Sequence, residues 1–371
     1  LNPRYERGTL QEVYEMIGKD IEAGIPLIDD TAYSVPKYHF NYKAACCFAS
    51  RYYLFMQDWD NAIKYATMAL TSNPSSLLRD YSAIAALPNG TSRHQEYVNS
   101  ASTANFLLQA ATSNSGLLFD WYSTAGRYSH GKLQGIYETV QPKKGGPWGS
   151  SVTFKAPHAV LASSGKYVLP RTWRVFQYTD PVAGTGFNKA ISVLFTSEEA
   201  LLNRAEAYIM KMNEDPTALD KALEDINLYA ANLFSAGFKS MTEASIINET
   251  YPDYSELYVG KTSVSSPQTL NPKKKLHAAP YNTLEEDGPQ ESMLQALIFM
   301  RRYQFLHEGM RWFDTRRFGI TVYRYLLDED AENVVQITDQ ISDENGTADP
   351  RRALQLPADV IAAGLTPNPR K

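Results

Sequence analysis

Two pairs of helices with a tetratricopeptide-like spacing constrain the fold of this chain more than any other feature of its sequence. The first pair is predicted over residues 41–55 and 60–71, with a short link between its helices. Small residues stand where the helices would cross, and aromatic residues stand near the turn. These residues are Ala49, Ser50, Tyr53, Trp59, Ala62 and Ala69, and Pro74 follows the second helix. The spacing predicts a closely packed antiparallel hairpin, and an ordinary helical hairpin is the alternative.

The second pair is predicted over residues 196–230. Thr196 and Glu199 have the spacing of a capping box at the start of its first helix. Apolar residues then recur at the helical period, which is typical of an amphipathic helix. Because the two pairs are far apart in the sequence, they predict one repeat-like scaffold that long insertions interrupt.

Two further helices are predicted outside these pairs. Residues 10–27 carry an apolar stripe at helical spacing, which Pro26 ends. Residues 291–307 carry another, and Gly309 follows it as the glycine expected at the left-handed end of a helix. The predicted fold class is therefore mainly α: a tetratricopeptide-like helical-hairpin scaffold with long irregular, loop-rich insertions.

The segment between the two hairpins has a different texture. Over residues 77–195, short apolar pieces alternate with Asn, Gly, Ser and Pro, which predicts a long and mostly irregular insertion. Such a stretch is uncommon in a compact domain unless it has a function. The predicted organisation is a helical scaffold over 1–76, a ligand-binding insertion over 77–195 and a helical region over 196–371, all within one compact domain.

The charge pattern excludes nucleic acid as an expected partner. The chain has 36 basic and 41 acidic residues, and its net charge is −5. Its longest basic run, Lys273 to Lys275, stands beside Pro272 and is predicted to be a solvated loop. The sequence has no apolar run of about 18 residues, so no membrane-spanning helix is expected.

No cofactor and no metal site is predicted. The adjacent Cys46 and Cys47 lack the spacing of a zinc site and are expected in the core. Asp343 and Asp349 belong to an acidic turn that lacks the full ligand spacing of a calcium loop. The sequence also lacks the known motifs for nucleophilic catalysis and phosphate binding.

The densest motif lies at residues 308–319. Four of its side chains alternate in charge every three residues, and they are Glu308, Arg311, Asp314 and Arg317. On a helix they would form one ladder. A partly buried structural ion network is the favoured interpretation, because each charge has an opposite neighbour within reach. An anion site built on Arg311 and Arg317 is the alternative.

The same motif resembles the SusD/RagB family. That family's C-terminal signature has the form Glu-Gly-x-Arg-x-x-Asp-x-x-Arg-x-Gly, which residues 308–319 match. Three other segments resemble the family in the same order, and they are residues 45–69, 201–227 and 356–369. Met300 and Gln304 depart from the pattern, because the family usually has glutamates upstream of the signature.

The resemblance implies a function and a location. Members of this family bind nutrients at the surface of the outer membrane, where a tetratricopeptide-like scaffold covers a SusC-like TonB-dependent transporter as a lid. They capture a glycan or oligosaccharide, and some members take peptides instead. The resemblance implies attachment to the membrane only through an N-terminal lipid anchor. The chain begins with Leu1 rather than Met, so that anchor is expected upstream of this sequence.

Aromatic residues of the insertion form the predicted ligand site. They stand among polar and glycine-rich neighbours, where sugar rings stack on aromatic faces and hydroxyl groups need planar polar partners. The predicted ligand-binding residues are Asp120, Trp121, Tyr122, Arg127, Tyr128, Tyr137 and Trp148. The alternative is that several of these aromatic side chains anchor the loop to the scaffold.

Two functions from other classes compete with glycan capture. A glycoside hydrolase needs paired carboxylates, and Asp120 and Glu138 are available, but no motif fixes their spacing. The chain is therefore not expected to be an enzyme. A tetratricopeptide adaptor would hold a peptide in the concave groove of contiguous repeats. The long insertion between the two hairpins argues against that function.

Overall fold

The computed structural model describes most of the chain. The described residues are 8–116, 155, 159–161, 166–168, 171–173, 175–235, 237–248, 273–327, 329, 334–343 and 347–370. The chain divides into two compact units. The first combines Leu1–Asn114 with Val175–Asn232, and the second combines Ser115–Arg174 with Leu233–Lys371.

Helices dominate the described residues, which confirms the predicted mainly α fold. The α-helices are α1 (Leu10–Gly24), α2 (Tyr42–Phe55), α3 (Trp59–Leu70), α4 (Tyr81–Ala86), α5 (Gly90–Tyr97), α6 (Ser197–Lys211), α7 (Ala218–Leu233), α8 (Glu243–Asn248), α9 (Pro289–Gln304), α10 (Met310–Arg317) and α11 (Ala358–Ala362). The strands are β1 (Asn105–Thr112), β2 (Ala159–Leu161), β3 (Lys166–Val168), β4 (Val175–Asp180), β5 (Thr185–Thr196), β6 (Val322–Leu327) and β7 (Val334–Ile341). None of the described helices is long and apolar enough to cross a membrane.

Both predicted hairpins lie in the first unit. Helices α2 and α3 form the first, α6 and α7 form the second, and α3 packs along α6. Ala49, Ala62 and Ala69 are fully buried, which lets the helix backbones approach each other closely. Asn203 of α6 donates a hydrogen bond from Nδ2 to Ser50 Oγ of α2 at 3.0 Å. Helices that are far apart in the sequence therefore form one packed scaffold.

The start of α6 is joined to α2 of the first hairpin. The Thr196 side chain accepts a hydrogen bond from the Glu199 N–H at 3.0 Å, as the capping-box spacing predicts. The reciprocal half of the box is absent, because the Glu199 carboxylate accepts two hydrogen bonds from the Arg51 guanidinium of α2, at 2.6 and 2.7 Å. Glu199 therefore joins two helices instead of closing its own helix end.

Replacing Thr196 by Ala is expected to lower the free energy of unfolding by about 1 kcal/mol, because the buried N–H of Glu199 loses its acceptor. Urea denaturation followed by circular dichroism measures the change. Thr196→Ser is the matched control, since it keeps the acceptor oxygen. Equal stability of the alanine and serine variants would show that the cap contributes nothing.

The predicted irregular insertion contains regular structure in its described part. Helices α4 and α5 and strands β1, β4 and β5 replace much of the expected loop, and both outer strands pair antiparallel with β5. The apolar pieces that suggested loops are strand segments with a buried face, such as Phe106 and Leu108 in β1 and Val193 in β5. Hydrophobic periodicity over such short pieces does not separate a half-buried strand from a loop.

One side of this sheet packs against the short helices before it. Ile84 of α4 and Tyr97 of α5 form a buried cluster with Leu108 and Val193, and Ile191 packs at its edge. Along β5 the same face then continues with Lys189 and with Phe187, whose side chain is exposed.

The second unit is centred on α9, most of whose side chains are buried. This helix ends at Gln304, which is three residues before the end that the sequence predicts. Gly309 has the predicted left-handed conformation, with φ of 79°, but it precedes α10 instead of ending α9. His307 also has a positive φ, 66°, so the chain turns sharply between the two helices before the glycine is reached.

The lysine run at residue 273 is not wholly solvated, and that prediction is wrong for its first member. Lys273 is buried, and its Nζ lies 2.5 Å from Asp287 Oδ1 and 3.1 Å from Glu291 Oε2. Gln295 of α9 also donates a hydrogen bond to Glu291 at 2.8 Å. Two carboxylates therefore compensate the buried ammonium, a pairing that charge counting along the sequence does not reveal.

Candidate functional site

The predicted aromatic ligand site lies outside the described residues. Its members are Asp120, Trp121, Tyr122, Arg127, Tyr128, Tyr137 and Trp148. The described strands define where that segment leaves the first unit and where it returns. Strand β1 ends at Thr112 and β4 begins at Val175, and both residues pair with Lys189 of β5. Neighbouring strands are about 4.8 Å apart, so the two ends of the segment are held about 10 Å from each other.

A step in the sheet forms a shallow site at this position. The β4–β5 hairpin continues beyond Thr112, whereas β1 gives way to Ser113, whose N–H donates to the Asn188 carbonyl oxygen at 3.0 Å. The resulting open cavity has a volume of about 410 Å³. We call it the step site, and its lining residues are Thr112, Ser113, Asn114, Gly186, Phe187 and Asn188.

The step site combines one exposed ring with polar groups. The Phe187 side chain is 55% exposed, although it belongs to a paired strand. Asn188 donates a hydrogen bond from Nδ2 to Asn114 Oδ1 at 2.9 Å, which fixes the planes of the two amides relative to each other. Thr112 and Ser113 add hydroxyl groups at the rim. A cavity whose lining combines an apolar ring with planar amides and hydroxyls suits a ligand that has both C–H and O–H surfaces.

Directly paired strand residues show which side chains share the Phe187 face. Gln177 pairs with Phe187, and Thr112 pairs with Lys189, so these four side chains lie on the same side of the sheet. Lys189 Nζ donates a hydrogen bond to Thr112 Oγ1 at 2.8 Å; the bond lies at the surface, and Lys189 itself is half-buried. Two neighbouring residue pairs on this face therefore present an aromatic ring and an amide, from Phe187 and Gln177, and an ammonium and a hydroxyl, from Lys189 and Thr112.

The opposite face of the hairpin carries a second exposed ring. Tyr178 is 58% exposed, and its ring meets the Phe176 ring edge-on, with centroids 4.8 Å apart. Tyr178 pairs with Gly186. A Cβ at Gly186 would lie 2.1 Å from the Gln177 carbonyl oxygen and 2.9 Å from the Phe176 ring. Only glycine fits there, so Gly186 allows the two strands and the Phe176 ring to approach closely.

Sequence reasoning missed the step site, and one weak signal for it exists. The run Asp180-Pro-Val-Ala-Gly184 has turn chemistry, and the Asp180 carboxylate accepts hydrogen bonds from Val182 and Ala183 N–H groups at 2.9 Å each. The sequence of this turn therefore indicates a β-hairpin at these residues. The step itself depends on the residue at which β1 ends, and no sequence signal marks that residue.

The charged motif of the second unit is organised around one buried carboxylate. Asp314 accepts hydrogen bonds from Arg301 Nε at 3.1 Å to each of its oxygens, and Arg317 lies 3.2 Å away. Burial raises the pKa of the Asp314 carboxyl, but the charges of Arg301, Arg317 and Arg311 outweigh it and the pKa is lowered. The structure thus brings together three members of the predicted ladder, and it adds Arg301 from α9, which the sequence interpretation missed.

This arrangement favours the structural interpretation of the motif over an anion site. Arg301 is buried, and the Arg317 guanidinium also donates to Tyr281 Oη at 2.9 Å and lies against the Phe318 ring. Glu308, the remaining member of the motif, is half-buried just before α10. Two arginine side chains of the network are therefore committed to groups of the protein itself.

The described carboxylates of the acidic turn near the C-terminus are bound by arginines. Asp343 Oδ1 accepts a hydrogen bond from Arg352 Nε at 2.6 Å and another from the Asp349 N–H at 2.9 Å. Hydrogen bonds from Arg351 lower the pKa of Asp349 to about 2. Within the described residues, no cluster of histidine, cysteine and carboxylate side chains has the geometry of a metal site.

Comparisons with known proteins identify the fold. Residues 2–54 match the model of a SusD-like family that is described as starch-binding and associating with the outer membrane. A search of curated protein sequences finds no match. Solved structures of Bacteroides proteins match over nearly the whole chain.

Three of these structures illustrate the likeness. A SusD-like protein of Bacteroides fragilis has a TM-score of 0.55 and 15% identity, over 99% of this chain and 73% of that one. A SusD superfamily protein of Bacteroides thetaiotaomicron has a TM-score of 0.53 and 16% identity, over 100% of this chain and 69% of that one. A SusD superfamily protein of Bacteroides vulgatus has a TM-score of 0.52 and 17% identity, over 98% of this chain and 66% of that one. The comparisons confirm the resemblance to the SusD/RagB family, and the structural likeness establishes a SusD-like fold.

Proposed function

We propose that this chain binds a glycan or oligosaccharide at the cell surface and delivers it to a SusC-like TonB-dependent transporter of the outer membrane. The SusD-like fold supports the proposal, as does the family model, which is described as starch-binding and associating with the outer membrane. The observation that carries the proposal is the step site, whose lining includes the exposed Phe187 ring and the amides of Asn114 and Asn188.

The chemistry of a sugar ring matches that arrangement. One face of a pyranose presents C–H groups, which pack on an aromatic ring, while its rim of hydroxyl groups needs donors and acceptors in fixed planes. Phe187 supplies the ring, and the hydrogen bond between Asn188 and Asn114 fixes two amide planes in the lining of the same cavity. We propose that the aromatic residues predicted from the sequence, above all Trp121 and Trp148, supply further stacking surfaces.

The same site suits a binding protein better than an enzyme. Glycoside hydrolysis uses a pair of carboxyl groups that flank the scissile bond. The six described residues that line the step site include no carboxylate. Incubation of the protein with any oligosaccharide that it binds, followed by chromatography, tests this point, and the appearance of shorter products would contradict it.

Replacing Phe187 by Ala is expected to weaken oligosaccharide binding about tenfold, which corresponds to about 1.4 kcal/mol of lost apolar contact. The measurement is isothermal titration calorimetry, after a screen of neutral and acidic oligosaccharides identifies a ligand. Tyr38→Ala is the matched control, because Tyr38 is 58% exposed in the same unit but lies outside the step site. Trp121→Ala and Trp148→Ala test the predicted surfaces in the same way.

The outcomes separate the competing functions. A ligand whose affinity falls in the Phe187 variant but not in the Tyr38 variant supports the step site. Unchanged affinity in the Phe187 and both tryptophan variants refutes the proposed site. A protein that binds only peptides is the peptide-capturing alternative within the same fold, and one that binds only a folded protein partner is the adaptor alternative.

A further inference from the structure

We propose that the step site selects an acidic sugar, whose carboxylate or sulfate group is bound by Lys189 and Thr112. This inference rests on the proposed glycan-binding function and names the class of glycan. It starts from the distribution of charge on the three-stranded sheet of the first unit.

Lys189 is an isolated cation on this sheet. Strands β1, β4 and β5 contain one other charged residue, Asp180, at the far end of β4. Val175 pairs with Lys189, and Asp180 stands five residues further along the strand, so the backbone positions of the two charged residues are about 16 Å apart along the strand. That distance exceeds the screening length of about 8 Å at physiological ionic strength. Asp180 therefore does not neutralise Lys189.

The hydrogen bonds of these two groups agree with that separation. The Asp180 carboxylate accepts the N–H groups of Val182 and Ala183 at the hairpin tip. Lys189 Nζ donates to the neutral Thr112 hydroxyl at 2.8 Å. No carboxylate of the described residues forms an ion pair with Lys189. In a chain with a net charge of −5, an ammonium at the surface that is held by a neutral partner is a local anion-binding group.

The position of Lys189 relative to Phe187 gives the inference its geometry. The two residues are two apart on β5, so their side chains lie on the same face and about 7 Å apart along the strand. A sugar ring that packs on Phe187 therefore directs an exocyclic carboxylate or a sulfate toward the Lys189 ammonium. Thr112, which already accepts from Lys189, is available there to donate its hydroxyl proton to the same anion.

The test compares three probes that differ in charge. They are a galacturonic acid oligosaccharide, the same oligosaccharide after reduction of its carboxyl groups, and a sulfated galactose oligosaccharide. We expect the intact protein to prefer at least one acidic probe over the reduced one. Lys189→Gln is expected to weaken binding of that acidic probe about fivefold, the upper range for an exposed ion pair, and to leave the neutral probe unchanged. Lys189→Arg is expected to retain the preference.

The outcomes distinguish this inference from the proposed function. If the reduced oligosaccharide binds as well as the acidic ones, the acidic selectivity is overturned and glycan binding stands. If no oligosaccharide of any charge binds, the proposed function itself fails. Should Lys189→Gln not fold, titration of the unaltered protein at low and physiological ionic strength decides. A dissociation constant for the acidic probe that does not rise with salt overturns the selectivity.

Discussion

Replacing Asp314 by Asn is expected to lower the free energy of unfolding by about 3–5 kcal/mol, because it leaves two arginines without their buried counter-charge. Asp314 is 1% exposed, and it binds Arg301 through both of its oxygens and also Arg317. The asparagine keeps the volume of the side chain, so the loss reports charge and hydrogen bonding more than packing. Guanidinium or urea denaturation of the purified variant measures it.

Asp339→Asn is the matched control for that experiment. Asp339 also pairs with an arginine, Arg351, at 2.9 Å, but the side chains are 49% and 30% exposed. An exposed pair of this kind contributes less than about 1 kcal/mol. If both variants lose the same free energy of unfolding, the buried network around Asp314 stabilises the second unit no more than an exposed ion pair does.

The contribution of Asp314 also has a defined pH dependence. Its pKa is lowered in the folded protein, so its stabilisation is fully present above the unfolded-state value of about 3.9. As the pH falls below that value, the unfolded chain takes up the proton first and the stabilisation declines. The stability difference between the unaltered protein and Asp314→Asn is therefore expected to narrow below about pH 4.

The helical scaffold could be predicted from the sequence because its signals are local. Periodic apolar residues lie within the helices that they define, and the N-cap Thr196 directly precedes its helix. The small residues at Ala62 and Ala69 also predicted which faces approach closely, and both are fully buried. Helix ends were less predictable, as α9 shows, because the end depends on the tight connection before Gly309.

The sheet and the buried charges could not be predicted in the same way, because their partners are remote in sequence. Strand β1 pairs with β5, which lies some eighty residues later in the chain. The sequence predicts Lys273 at the surface, because its partners Asp287 and Glu291 come close to it only in the folded chain. Arg301 likewise joins the charged motif only because α9 and α10 fold against each other. A charge pattern read along the chain misses such pairs.

The step site was hidden for a related reason. None of its six described lining residues belongs to a sequence motif, and Phe187 looks like any other strand residue. The site exists because β1 stops at Thr112 while the β4–β5 hairpin continues. A difference in strand length is a property of the pairing, so it becomes visible only when the register of all three strands is known.

Replacing Arg79 by Ala is expected to lower the free energy of unfolding of the first unit by about 3–5 kcal/mol, because it leaves the buried Glu198 carboxylate without its counter-charge. Arg79 and Glu198 are almost completely buried, with Arg79 Nε 3.8 Å from Glu198 Oε1. The guanidinium also donates to the Tyr97 carbonyl oxygen at 2.7 Å and to Asn105 Oδ1 at 2.6 Å. Denaturation of the variant measures the loss. Arg93→Ala is the control, since Arg93 binds only carbonyl oxygens of the preceding loop and helix.

The Arg79 network is expected to matter for the step site as well as for stability. Asn105, which Arg79 holds, is the first residue of β1, and Thr112 at the other end of the same strand lines the step site. Arg79→Lys keeps a positive charge but loses the planar set of donors, so we expect it to loosen β1 without unfolding the unit. Hydrogen exchange should then quicken at β1 amides in the lysine variant while α2 and α3 keep their protection. Uniform protection across the sheet and the helices would show that β1 is held by its pairing with β5 alone.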